Sequence, residues 1–452
     1  MLINSMKKMH IKKEFVLLTL IVTLSLLTLN IFKEDSFSKQ IEDDEYVNNE
    51  NLDLSENNVD SEISSRSSNT FRTNASSLCT SNFIFSNYFS VKYVPGMSYS
   101  NILSACASLY TFYSYLDNIG FVTPTSQNSS YDYLDIYFLN CSATSLGYTS
   151  DSLGITFADD AINYKKYYST IYICEFSDLD SDKMNTIYHE FFHTIQNMYY
   201  AQANNTFKEG VARWVGNNFS GDYRNVRSLI KSLYATYNMR LDLTTNGYPY
   251  CYSYMFDIIY DILNNDSDTM YDFLLNLYTT LSNRLLPTIS FRQMLTTIGN
   301  VLDNYNSTYT FDYVWYNMVI RFLDCYTPYY NYFYSSTSSD FDYFTPVTYI
   351  GSGYFSESIS FNNWGFKMYD FSNFSPSTYY GRVKFQMTAS CDFAIVILDT
   401  AYNYQSVVYS DDYFQFEYTY DIITYRLSNV RFAVVNLGNV SMDTTLSIYQ
   451  LT

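Results

Sequence analysis

Basic residues are scarce in this chain: 26 Lys and Arg stand against 45 Asp and Glu, a formal net charge of −19 at pH 7. That balance excludes nucleic acid or an anionic membrane surface as the main partner, since both repel an acidic protein and reward clustered positive charge. No Cys-x-x-Cys pair occurs among Cys79, Cys106, Cys141, Cys174, Cys251, Cys325 and Cys391. A thiolate metal cluster and a thioredoxin-type motif are thereby excluded, and the odd count leaves at least one thiol unpaired. Glycine is rare as well, at 14 of 452 residues, whereas there are 51 Tyr and 34 Phe. Aromatic side chains must then fill the interior, a composition that favours strands as well as helices. Histidine is scarcer still, with His10, His189 and His193 the three in the chain. No internal repeat stands out.

What is present divides the chain into four parts. Lys7, Lys8, Lys12 and Lys13 precede a hydrophobic run from Phe15 to Leu29, the charged and apolar regions of an export signal. No small-x-small cleavage site comes before Lys33, so residues 1–32 read as a signal peptide or as an uncleaved signal anchor. The protein is expected to be secreted, or held at the membrane by that segment alone. Eleven acidic residues fall between Glu34 and Glu62 among Ser and Asn, and residues 33–76 are expected to be an acidic disordered tether or propeptide.

Residues 77–340 mix two periods. Short aromatic and β-branched runs at 133–139 and 169–174 predict strands. Apolar residues at three- and four-residue steps predict helices over 180–200, 211–219, 226–234, 252–263, 270–281 and 311–323. From 341 to 452 strands return, at 383–387, 393–398, 413–418, 431–436 and 446–451, and their regular spacing suggests an all-β sandwich-like C-terminal domain.

The chemistry concentrates in His189-Glu190-Phe191-Phe192-His193. Residues at i and i+4 project from one helical face, so both imidazoles can reach a single cation. Glu190, one step round the helix, then stands beside the open coordination position as a general base. A catalytic zinc needs a third protein ligand, and no further histidine exists downstream to supply it. A carboxylate has to serve. After Glu62 the glutamates are Glu175, Glu190, Glu209, Glu357 and Glu417. Of these, Glu209 opens a second helical segment sixteen positions after His193, beyond a polar run that lets the chain turn back.

With those residues in view, the run from His189 to Gln196, followed by Glu209-Gly210-Val211-Ala212-Arg213-Trp214, resembles the gluzincin zinc metallopeptidases, and among them the secreted bacterial thermolysin-like and collagenase-like ones. The resemblance implies an α+β zincin catalytic domain, a mixed sheet plus a helical subdomain, with Zn2+ on His189, His193 and Glu209 and with Glu190 as general base. It implies a protein or peptide substrate, hydrolysed by an endopeptidase. A tyrosine or Arg213 would stabilise the oxyanion, and Tyr250, downstream of Glu209, is the candidate chosen. By analogy with that fold, residues 170–174 are the expected edge strand for substrate. Two rival readings are an aminopeptidase and a surface adhesin built on a degenerate zincin scaffold. Glu190 separates the last from an enzyme, because a scaffold needs no base between two ligands. No oligomeric state is legible in the sequence.

Overall fold

The computed structural model describes residues 69–451 apart from 125–132, 148–153, 163–165, 201–204, 222–251, 285–290, 324–344, 348–353, 362–364, 372–381, 390, 400–403, 410–415, 422–429 and 438–441. The candidate Tyr250 and the helix predicted at 226–234 lie outside the described residues, as does the hydrophobic run 15–29. Among the described residues no helix is long and apolar enough to cross a membrane. The location expected from the N-terminus, with its membrane anchor, is accordingly corrected and set aside.

The chain is a mixture of helices and sheets, several of them antiparallel. The first sheet contains β1 (Ser81–Phe85), β2 (Phe89–Tyr93), β3 (Leu134–Phe138), β4 (Gly154–Ala161) and β5 (Tyr167–Ile173), in the order β1-β2-β3-β5-β4. β2, β3 and β5 run parallel, while β1 and β4 pair antiparallel to their neighbours. Strand alternation sorts the side chains between two cores. Leu134, Ile136, Phe138, Ile171 and Ile173 face one of them, with the helices Tyr99–Ile119 and Ser181–Tyr200. Tyr137, Leu139, Tyr172 and Cys174 face the other.

That second core corrects the boundary expected at 76. Residues 69–78 are helical, and Phe71 and Ala75 are fully buried in it. Phe71 meets Phe157 and Tyr172 edge-on, with ring centroids 5.6 and 5.1 Å apart. Arg72 donates to the Ala158 carbonyl on β4 at 3.1 Å. The acidic composition upstream hid two apolar residues four apart, which suffice to dock a short helix.

The helix Tyr99–Ile119 was not expected either, although its signals are plain. Ser98 caps it by accepting from the Asn101 N–H, and Gly120 ends it in the left-handed conformation at φ 108°. Between them Ile102, Cys106, Leu109, Tyr113 and Leu116 form a buried stripe at three- and four-residue steps.

The C-terminal strands stack as two sheets: β11 (Tyr404–Tyr409), β10 (Phe393–Asp399), β13 (Val430–Asn436), β8 (Phe366–Asp370), β6 (Thr345–Pro346) in one, and β12 (Phe416–Asp421), β9 (Arg382–Thr388), β14 (Met442–Leu451), β7 (Tyr354–Phe361) in the other. The arrangement is sandwich-like, as the spacing predicted. Residues from Ser67 to Thr452 nevertheless form one compact unit. The reason lies in β10, whose sequence FAIVILD is apolar throughout its first six residues. Phe393, Ile395 and Ile397 face the opposing sheet, whereas Val396 and Leu398 join the core of the helices. β13 repeats the division, with Phe432 and Val434 on one side and Ala433 and Val435 on the other. A strand covered on both faces reads as a continuous apolar run, and here it makes one sheet the middle layer between helices and sheet. Trp315, on the helix Phe311–Leu323, meets Phe366 edge-on at 6.0 Å.

Candidate metal centre

Two helices carry the motif residues, Ser181–Tyr200 and Asn205–Ser220. The first begins where Asp180 accepts from the Lys183 N–H at 2.9 Å, and from Ile187 to Tyr200 every residue on it is buried. A helix buried all round is normally apolar, yet this one holds His189, Glu190, His193, Thr194, Gln196 and Asn197. Buried polar groups need partners, and the partners here define the site.

The two helices run antiparallel, pinned at both ends. At one end Asn185 donates to Asn217 at 2.7 Å. Gly216 permits that approach, because a Cβ there would lie 2.7 Å from Asn185 Oδ1 and 2.8 Å from its carbonyl oxygen. At the other end Gln196 Nε2 donates to the Lys208 carbonyl at 3.0 Å, and Lys208 Nζ donates to Asn197 Oδ1 at 3.1 Å. Asn197 in turn donates to Ser169 on β5 at 2.9 Å. Glu209 is thereby delivered to the histidine face.

His189 Nε2 lies 3.0 Å from His193 Nε2, and Glu209 Oε2 lies 3.1 Å from the first and 3.3 Å from the second. Among the described residues this is the one cluster of three or more His, Cys, Asp or Glu side chains close enough to hold a metal ion. The structure thus brings together the three residues expected from the sequence to hold a metal. The fourth motif residue, Glu190, places Oε1 4.0 Å from His189 Nε2, beside the cluster without belonging to it.

Charge follows geometry. Burial raises the pKa of Glu209, but His193 and His189 outweigh it and hold the carboxyl well below its ordinary range. Burial lowers the pKa of His193, but the charge and hydrogen bond of Glu209, with the charge of Glu190, bring it above the ordinary value. Burial also depresses the neighbouring ammonium of Lys208. The centre is a carboxylate facing two imidazoles, an environment that favours a positive charge between them.

Three supporting residues were given no role from the sequence. Gln196 Oε1 sits 2.7 Å from His193 Nδ1, while its amide nitrogen donates to the Lys208 carbonyl and, at 2.7 Å, to the hydroxyl of Tyr278. Thr156 on β4 holds Glu190, with Oγ1 2.6 Å from Oε2. Gln196 already stood in the motif run, one turn after His193. Tyr278 and Thr156 come from distant segments and gave no local signal.

The substrate edge expected at 170–174 is corrected. β5 is an inner strand, paired on one side with β3 and on the other with β4. The edge of the sheet beside the motif helix is β4, which the sequence reading did not identify.

No protein-family model matches the chain, and no curated protein does. Parts of it are similar to solved structures at low TM-scores. The periplasmic inhibitor of g-type lysozyme, PliG, of Aeromonas hydrophila matches with a TM-score of 0.18 and 11% identity over 24% of this chain and 94% of that one. A point mutant of a carbohydrate binding module of family 29 gives 0.16 and 16% over 23% of this chain and 74% of that one. Oxalate oxidase in complex with glycolate gives 0.14 and 13% over 22% of this chain, which spans 42% of the length of that one. None of these likenesses carries an argument about fold or function.

Proposed function

We propose that the chain is a zinc-dependent endopeptidase of gluzincin type, with zinc on His189, His193 and Glu209 and with Glu190 as general base. The observation that carries the reading is the donor triangle. A tetrahedral zinc with bonds of about 2.0–2.1 Å sets its ligand atoms roughly 3.3 Å apart, and the three donor atoms stand 3.0, 3.1 and 3.3 Å from one another. Two imidazole nitrogens and one carboxylate oxygen, with nothing softer, suit zinc. A zinc ion held there supplies the Lewis acidity that makes water nucleophilic near neutral pH and polarises a carbonyl.

The chain's own residues do the rest. Gln196 fixes the ring of His193 so that Nε2 faces the cation. Glu190 takes a proton from the attacking water and returns it to the leaving amine. β4 is an edge strand of the described sheet and lies beside that carboxylate, where an extended peptide can pair through its main chain. Excluded water strengthens each of these interactions, and both histidines and Glu190 are buried.

The deciding experiment measures casein cleavage and metal content together in wild type, Glu190→Gln and Glu209→Gln. Glu190→Gln should keep its zinc and lose about 10²–10⁴-fold in activity, as removal of a general base does. Glu209→Gln should lose zinc affinity first. Wild type that is fully zinc-loaded yet cuts no peptide bond, or a Glu190→Gln variant as active as wild type, removes the peptidase reading in favour of a binding scaffold.

A further inference from the structure

We propose that Thr156 is a positioning residue that fixes which oxygen of Glu190 acts as the base; the inference rests on the peptidase reading. β4 runs against the motif helix so closely that Gly154 cannot carry a side chain. A Cβ there would lie 2.5 Å from Glu190 Cγ, 2.9 Å from Glu190 Oε1 and 2.7 Å from Thr186 Cγ2. Two residues along the same strand, and so on the same face, Thr156 directs its hydroxyl at Glu190. Oγ1 lies 2.6 Å from Oε2 and 2.9 Å from the Glu190 carbonyl oxygen. A hydroxyl has one proton, and the carboxylate is the stronger of the two acceptors.

Oε2 is therefore engaged by the strand, and Oε1 is the oxygen left toward the metal ligands, 4.0 Å from His189 Nε2. In hydrolysis an O–H bond of water breaks, the proton goes to Oε1, and the water oxygen bonds to the carbonyl carbon. The C–N bond then breaks, and the amine nitrogen takes the proton back from Oε1. Oε2 keeps its hydrogen bond from Thr156 throughout, so the carboxylate does not rotate between the two transfers. Gly154 and Thr156 together make the edge strand the wall that orients the base. A hydroxyl that merely docked the helix would be expected to matter for stability and for metal content, not selectively for turnover.

The test compares Thr156→Val, which is nearly isosteric, and Thr156→Ser with wild type. It reads kcat and KM on a fluorogenic peptide, zinc per chain, and the crystallographic position of the Glu190 carboxylate in metal-free protein. The expected result for Thr156→Val is a kcat lower by about 10–100-fold, in line with the cost of misplacing a reacting group, with KM and zinc content unchanged and the carboxylate rotated. Thr156→Ser should restore kcat to within a few-fold. The proposal is overturned if Thr156→Val keeps wild-type kcat, if zinc is lost in step with activity, or if Glu190 stays in place. Should wild type itself cleave nothing, the peptidase reading has failed, and the carboxylate position in Thr156→Val still decides whether the strand orients it.

Discussion

His193 donates from Nδ1 to Gln196 Oε1 across 2.7 Å, and its Nε2 is left facing Glu209 at 3.3 Å. The direction of that bond is settled by the amide. Its nitrogen already donates to the Lys208 carbonyl and to the Tyr278 hydroxyl, so its oxygen can only accept and the imidazole must donate. An outer partner of this kind sets both the tautomer and the tilt of a ligating ring.

Gln196→Leu should therefore weaken zinc binding by about 10–100-fold while the fold persists. Competition with a chromophoric chelator measures the affinity directly. Gln196→Glu keeps an acceptor for His193 but sets its second oxygen against the Lys208 carbonyl, so it should recover the affinity only in part.

The same centre predicts how metal and pH combine. Without metal, His193 has its pKa above the ordinary value because Glu209 faces it. Its stabilising contribution is complete below the unfolded value of about 6.5 and is lost as pH rises through the raised folded value. Metal needs the deprotonated ligands, so its binding strengthens over that same interval. Both trends enlarge the rise in Tm caused by zinc as pH goes from 6 to 8. Thermal scans of metal-free and zinc-loaded protein at the two pH values check it. An increment that shrinks with pH would count against the two-histidine, one-glutamate ligand set.

Much of this centre was legible because histidine is so scarce. Two imidazoles four apart, an intervening glutamate and a glutamate sixteen positions downstream at the start of a helical segment left few alternatives, and the structure places those side chains together. β10 was legible for a different reason, since a strand covered on both faces needs an unbroken apolar run and has one. Contacts from remote segments were not. Thr156 lies 34 residues before Glu190, and nothing in its neighbourhood distinguishes it from other threonines. The edge strand was misassigned because strand order depends on which segments pair, and pairing leaves no trace in the periodicity of a single strand. β4 adds irregularity of its own, with a register shift between Ala158 and Ala161.

Truncation probes the N-terminal helix. A chain starting at Ser67, where the compact unit begins, should fold with an unchanged Tm. A chain starting at Cys79 should melt lower, because it loses Phe71 and Ala75 from a core that also contains Tyr137, Phe157 and Tyr172. Phe71→Ala alone should cost about 3–5 kcal/mol, read from urea denaturation.

A second pH effect comes from the other end of the helical region. Burial, and secondarily the charge of Asp392, push the Asp312 carboxyl up to about 6. The folded protein thus holds this proton more tightly than the unfolded chain. The contribution is full below about 4 and is lost as pH rises through about 6. Asp312→Asn should flatten that part of the stability profile and raise Tm at pH 8 by roughly 1 °C per kcal/mol recovered. A variant whose Tm at pH 8 falls below wild type would refute the assignment.

β14 lies between β7 and β9, pairing with both. A nascent chain that has already emerged through β7, β8, β9 and β10 therefore has a gap in one sheet that only residues 442–451 can close. Until they arrive, the opposing sheet has no complete partner, and the helices share their packing with that sheet through β10 and β13. Pairings this distant in sequence form slowly and leave apolar surface open meanwhile. Assembly of the whole unit is consequently a late event in synthesis, and a ribosome stalled short of β14 would release a chain prone to aggregate, even though every residue of the candidate metal centre had already been made.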